Sequence, residues 1–144
     1  MAAVTFRQRR GLSWGDCDPA GIIFYPTYFR WMDAATWQLL SDCGWPADRM
    51  RAEHLSIPLL DAQCAFVASP KFGDELEVRS VLARIGRSSF ALRHEFVLAG
   101  LDDVVFARGH EARVWAQYQA GPGTPLKGTP IPDALRAALG DPQG

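Results

Sequence analysis

The stretch Gly15-Asp16-Cys17-Asp18-Pro19-Ala20-Gly21-Ile22-Ile23-Phe24-Tyr25-Pro26-Thr27-Tyr28-Phe29-Arg30-Trp31-Met32-Asp33-Ala34-Ala35 decides how this chain is read. It opens with two glycines and a proline within residues 15–21, a composition that makes an ordered turn rather than a helix or strand. Pro26 suits the first position of a helix, where its missing N–H costs nothing. Phe29, Met32, Ala35, Thr36, Leu39 and Cys43 continue at helical spacing, and Gly44 is a good stop. Few polar residues interrupt the segment, so the pattern predicts one long helix buried on most sides. A loop bearing two carboxylates therefore runs directly into a helix start.

The flanks read as strands. Across residues 4–14, Val4, Phe6, Leu12 and Trp14 share one parity while Arg7 and Arg9 take the other. Beyond the helix, a short helix is expected over Pro46 to Glu53, then strands at about 58–68, 74–85, 88–99 and 103–117. Phe90, Leu92, Phe96 and Leu98 alternate with Ser89, Arg93 and Glu95, and Gly86-Arg87 and Gly100-Leu101-Asp102-Asp103 fit hairpin turns. The Gly/Pro-rich tail from Ala120 is expected to be a surface arm, with one or two helical turns over Pro132 to Leu139. Strand, long helix, then four strands in meander gives an α+β class: an antiparallel sheet of about five strands curled around one helix.

Length and composition bound the function. The 144 residues suit one domain, 1–144, with a core at about 4–117 and an arm at 120–144. Hydrophobic residues make up 48%, and the net charge of -1 exerts no whole-chain pull toward nucleic acid or membrane. The apolar runs fall far short of the roughly 20 residues a membrane span needs. The N-terminal residues lack the apolar core of a secretory signal, so the cytoplasm is the expected location. Cys17, Cys43 and Cys64 are odd in number and lack C-x-x-C spacing, which argues against a disulfide framework and a structural zinc. No metal and no cofactor is expected.

Three constellations bear on chemistry. Gly11-Leu12-Ser13-Trp14-Gly15 matches G-x-S-x-G, but that nucleophile elbow needs a helix directly after it and a parallel sheet around it, and neither pattern follows. Asp16 and Asp18 sit immediately before the helix. Its cap position holds Tyr25 instead of Ser, Thr, Asp or Asn, so the first amides lack a side-chain acceptor. A carboxylate beside free helix-start amides offers both halves of a hydrolytic site: a group that attacks or activates water, and donors for the developing oxyanion. The competing reading is that either aspartate forms an Asx turn. Cys17, between two acids, is disfavoured as a thiolate. His94 and His110 lie in apolar-striped strands and read as packing residues.

The quoted stretch resembles the signature of bacterial 4-hydroxybenzoyl-CoA thioesterases of the aspartate-nucleophile type, which have the hot-dog fold. Weaker similarity continues through Pro58, Phe66-Val67, Gly73-Asp74 and Arg87-Ser88-Ser89-Phe90, covering most of residues 5–117. The resemblance implies hydrolysis of an acyl-CoA, with Asp18 as nucleophile or general base and the Tyr25 amide polarising the thioester carbonyl. It implies that Asp33 contacts a ring hydroxyl, and that basic and polar residues Arg84, Arg87, Ser88 and Ser89 serve the CoA nucleotide. Family members acting on phenolic substrates carry a tryptophan shortly after the helix-ending Cys-Gly. Here Asp48 stands at that position and Trp45 lies three residues earlier, which makes Trp45 the candidate for the acyl pocket. Pro26 and Asp33-Ala34-Ala35 favour the aromatic branch over broad aliphatic hydrolases. The family forms homodimers or homotetramers with active sites between subunits. A non-hydrolytic acyl-CoA binder or a dehydratase on the same fold is the alternative, although a dehydratase would bring a histidine that residues 1–53 do not contain.

Overall fold

The computed structural model describes residues 2–143, apart from the side chains at 102 and 103. In chain order its elements are β1 (Thr5–Gly11), a 3-10 turn (Trp14–Asp16), α1 (Pro26–Asp42), α2 (Ala47–Ala52), β2 (Leu55–Ser56), β3 (Leu59–Phe66), β4 (Glu75–Ile85), β5 (Ser89–Leu98), β6 (Leu101–Val114), β7 (Ala116–Tyr118), β8 (Leu126–Gly128) and α3 (Asp133–Leu139). The five long strands form one antiparallel sheet in the order β1-β4-β5-β6-β3, and β2-β7-β8 form a small second one. The large sheet wraps around α1, which is the hot-dog arrangement.

The expected meander holds for β4, β5 and β6 only. β1 pairs with β4 from Thr5↔Val81 to Gly11↔Glu75 and so occupies the edge that β3 would need. β3 instead joins β6 at the far side of the sheet and is left as an edge strand. The strand expected over 103–117 is two elements, because the Trp115 N–H leaves the ladder for the Ser88 carbonyl at 2.6 Å. The second hairpin turns at Ala99-Gly100, with Gly100 at φ +84°, and β6 begins at Leu101.

Helix α1 is buried along one stripe rather than on most sides. Tyr28, Trp31, Met32, Ala35, Leu39 and Leu40 face the sheet, while Arg30, Asp33, Gln38 and Asp42 are exposed. The sheet curls around one side of the helix, and these four residues on the other side stay exposed among the described residues. Helix and sheet pack tightly at Gly109, where a Cβ would lie 2.5 Å from Met32 Sδ. The C-terminal arm, expected at the surface, is partly core: Ile131, Leu135 and Leu139 pack with Leu39, Leu40 and Phe90.

Two apolar clusters fill the space under α1, one toward each end of the helix. A buried polar network links the middle of the helix to the sheet. Glu111 on β6 accepts hydrogen bonds from Thr36 on α1, from His94 Nε2 at 3.1 Å and from Arg113 at 2.7 Å. Arg113 also donates to the Ile57 carbonyl at 2.9 Å and to Asp33 at 2.8 Å. Burial alone would push the Glu111 carboxyl up, but hydrogen bonds from His94 and Arg113 outweigh it and hold the group at about 2.

This depressed value sets a pH dependence. The ionised Glu111 contributes its full stabilisation above its ordinary value of 4.5, and that contribution is lost as pH falls toward about 2. Its size is on the order of 3 kcal/mol. Urea unfolding of the wild-type protein should therefore weaken across this acid window, and the Glu111→Gln variant should lack that part of the slope. At pH 7 the variant should be less stable by about 3 kcal/mol, because the buried Arg113 then has only the half-exposed Asp33 as its carboxylate partner. Equal stability of the two proteins at pH 7 would mean that the network does not anchor the helix.

Candidate active site

The residues before α1 fold into a small hairpin. The Asp18 N–H bonds the Ile22 carbonyl and the Phe24 N–H bonds the Asp16 carbonyl, each at 2.8 Å. Gly21, at φ +81°, makes the turn and donates to the Asp18 carbonyl at 2.9 Å. The two aspartates have different surroundings. Asp16 is buried and accepts from the Ser13 N–H at 3.0 Å, the Ser13 hydroxyl at 2.8 Å and Arg30 at 3.0 Å. Asp18 is half-buried, and only its Oδ1 is engaged, by the Ala20 N–H at 2.8 Å. That contact is the Asx turn weighed from the sequence, and it leaves Oδ2 open.

At the helix start, Pro26 has no N–H, and Tyr25 caps the helix without a side-chain acceptor. The Thr27 and Tyr28 amides already bond the Phe24 and Tyr25 carbonyls, at 2.8 and 3.1 Å. Among the described residues no acceptor takes the Tyr25 N–H, so it is the free donor of the first turn. Asp18 and Tyr25 line one cleft of about 480 Å³, whose remaining wall is Ile22, Ile23, Tyr28, Phe66, Val67, Ala68 and Ser69. Burial pushes the Tyr28 phenol up to about 12, so it stays protonated at neutral pH.

The other predicted site residues are not brought into this cleft. Asp33 lies outside its lining, half-exposed on α1, and is paired with Arg113. Trp45 is a correction. It is only 5% exposed, packs edge-to-face on Trp115 with ring centroids 6.1 Å apart, and carries the Arg49 guanidinium 4.2 Å above its ring. A side chain committed to the core in this way is not open to a ligand. Arg84, Arg87, Ser88 and Ser89 gather at the β4–β5 turn, beside the apolar cluster opposite to that of Tyr28. Of these, Arg87 lines a second, polar cleft of about 390 Å³ with Lys127, Gln117, Gln119 and Thr129. Lys127 escaped the sequence reading because it sits in the Gly/Pro-rich arm, far along the chain from Arg87.

Two other arrangements resemble catalytic ones and are not. The Ser13 hydroxyl is spent on Asp16, and no helix follows it in the way a nucleophile elbow requires. Ser80, His94 and Glu111 are connected like a catalytic triad, with Ser80 Oγ 2.7 Å from His94 Nδ1, but all three are at most 2% exposed. Substrate has no route to them. Burial pushes the Cys43 and Cys64 thiols up to about 11, which keeps them un-ionised at neutral pH. Among the described residues no cluster of three or more His, Cys, Asp or Glu could hold a metal, and no helix is long and apolar enough to cross a membrane.

Comparison with known proteins places this geometry in context. The family model described as the thioesterase-like superfamily matches residues 12–139. The chain is 34% identical over 119 residues to 4-hydroxybenzoyl-CoA thioesterase of Pseudomonas sp. strain CBS-3, covering 79% of this chain and 83% of that one. Among solved structures it is similar to gentisyl-coenzyme A thioesterase, at 33% identity and TM-score 0.78, over 94% of this chain and 100% of the other. It is also similar to an aspartate-to-asparagine variant of 4-hydroxybenzoyl-CoA thioesterase complexed with 4-hydroxybenzoyl-CoA, at 27% identity and TM-score 0.83, over 94% and 98% of the two chains.

The placement of Trp45 can be checked directly. Trp45→Ala should lower the unfolding free energy by about 3–5 kcal/mol, the usual cost of emptying a large aromatic site in a core. Chemical denaturation measures this, and a variant as stable as the wild type would return Trp45 to the list of ligand-facing residues.

Proposed function

Because this chain belongs to the thioesterase-like superfamily and is an acyl-CoA thioester hydrolase, we propose that it cleaves a hydroxylated aromatic acyl-CoA with Asp18 as its catalytic carboxylate and the Tyr25 N–H as its oxyanion donor. One observation carries this reading: Asp18, with one carboxylate oxygen open, and Tyr25, with a free amide, line the same cleft, and the rest of that lining is mostly apolar. The thioester carbonyl oxygen takes the Tyr25 N–H, which strengthens as charge builds on it. Asp18 then attacks the carbonyl carbon and expels the CoA thiolate, after which water hydrolyses the acyl-aspartyl anhydride. In the other version of the step, Asp18 takes a proton from the water that attacks. Either way one water is consumed, the C–S bond breaks, and the free acid and the CoA thiol are released. Apolar walls exclude bulk water and make the amide and carboxylate more effective.

The acyl group is inferred from two supports. Tyr28 and Phe66 give the cleft aromatic walls, and the relatives at 33% and 34% identity act, by their names, on hydroxylated aryl thioesters. Asp33 is the proposed acceptor for a ring hydroxyl. Since Asp33 and the Arg87–Lys127 cleft lie outside the Asp18 cleft of their own chain, these roles require a second copy to complete each site. The exposed edge of the sheet offers the place: Leu59, Leu60 and Phe66 of β3, with Val67 after it, are each about half exposed or more. An apolar edge strand with open backbone groups is normally covered. CoA phosphates are assigned to Arg87 and Lys127, with Arg84 nearby.

Asp18→Asn should keep the fold while lowering turnover of 4-hydroxybenzoyl-CoA by at least about 10²-fold, the usual cost of losing a nucleophile or base. Thiol release measures the rate and circular dichroism the fold. Asp16→Asn should reduce thermal stability more than Asp18→Asn does, and if Asp16→Asn is the inactive protein, the carboxylates have been assigned in the wrong order. Light scattering at micromolar concentration should report a dimer or tetramer; a monomer that is fully active would rule out the shared site.

A further inference from the structure

The hairpin that carries Asp18 is held on its inner side by its own backbone, through the Asp18–Ile22 and Asp16–Phe24 hydrogen bonds. Successive amides of an extended segment point to opposite sides, so the Ile23 N–H faces away from the hairpin. There it meets a single partner, Ser69 Oγ, at 3.1 Å. Ser69 belongs to the loop between β3 and β4, and it lines the cleft together with Asp18 and Tyr25. Its hydroxyl hydrogen goes to the carbonyl of its neighbour Pro70, at 3.1 Å. Tyr28, from the first turn of α1, lines the same cleft. One side-chain oxygen therefore ties two segments that wall the cleft: the hairpin with Asp18 and the loop that continues β3.

We propose that Ser69 is a positioning residue of the thioesterase site, its hydroxyl tying the hairpin at Ile23 to the loop behind β3 so that Asp18 and the Tyr25 N–H keep their spacing across the cleft. The inference rests on the roles given above to Asp18 and Tyr25. Ile23 lies between those two in the chain, so a loss of its anchor moves one relative to the other. Ser69 is not assigned a part in bond making, since its hydrogen is already donated to the Pro70 carbonyl. A displacement on the order of 1 Å between reacting groups is enough to cost a large factor in rate while leaving the binding walls in place.

The test compares Ser69→Ala, Ser69→Thr and Ser69→Val with wild type and Asp18→Asn, using the full chain and 4-hydroxybenzoyl-CoA as the probe. Ser69→Ala should lower kcat by at least about ten-fold with KM changed by less than about two-fold. Ser69→Thr restores the hydroxyl and should recover most of the rate, while Ser69→Val, the same shape as threonine without the oxygen, should stay slow. Hydrogen exchange adds a reading independent of activity: the Ile23 amide should exchange faster in the alanine and valine proteins than in the threonine protein. The Thr and Val pair decides the matter even if the alanine protein folds poorly. The proposal is overturned if Ser69→Ala turns over at the wild-type rate, if threonine and valine are equally slow, or if the whole loss lies in KM. An Asp18→Asn protein as active as wild type would instead remove the underlying assignment of the site, whatever Ser69 does.

Discussion

The position of α1 on the sheet depends on one carboxylate, Glu111. Apolar contact alone would hold the helix against the sheet without specifying where along its axis it sits, because burial is non-directional. Directional bonds specify it. Thr36 from the helix and His94 from β5 converge on Glu111, while Arg113 connects Glu111 to Asp33 and to the carbonyl of Ile57. Each of these groups would be costly to bury alone, so a helix shifted along its axis by one turn would strand several of them together. The satisfaction is not complete: Arg113 Nε has no partner. Fixing α1 axially also fixes its first turn, and with it the Tyr25 amide beside the Asp18 hairpin. A network in the middle of the helix thus governs the geometry at its end.

Most of the local structure could be read from the chain. Pro26 followed by helical spacing marked α1 within a residue or two, and the alternation at 89–98 marked β5, because both signals are local and periodic. The partner of β3 could not be read, since strand pairing is decided by which edge remains open once β1 has paired with β4. The free helix-start amide was legible for a chemical reason, since a proline there with no capping side chain leaves one donor open, whereas the choice of Asp18 came from the resemblance, because the pattern alone also allowed an Asx turn. Trp45 was misread because its burial depends on Trp115 and α2, neither of which is visible from its neighbours in sequence. The pairing of Asp33 with Arg113 could not be read, because Arg113 comes from a distant strand. Ser69 belongs to no motif, and only the fold brings it to Ile23.

Asp16 and Asp18 show how environment separates two identical side chains two positions apart. Asp16 meets three donors and is walled in, so it closes the 3-10 turn and holds Arg30 against the loop. Three of its roughly four lone-pair sites are taken. Asp18 meets one donor among the described residues, and it lines a mostly apolar cleft. A carboxylate at that position is a better nucleophile or base than one dissolved in solvent, which is what hydrolysis of a thioester demands.

The same cleft exposes a difficulty that a single chain does not solve. Phe66 and Val67 form part of its wall and also belong to the uncovered edge of the sheet. An apolar edge strand invites uncontrolled pairing, yet replacing these residues by charged ones would strip the cleft of the walls that hold an aromatic acyl group. In the proposed assembly both demands are met at once. A second copy covers the edge, and in doing so it brings its own Asp33 and its Arg87–Lys127 cleft toward substrate bound beside Asp18. Assembly and substrate recognition are then one surface property, and a change that weakens the edge contact reaches KM as well as the oligomeric state.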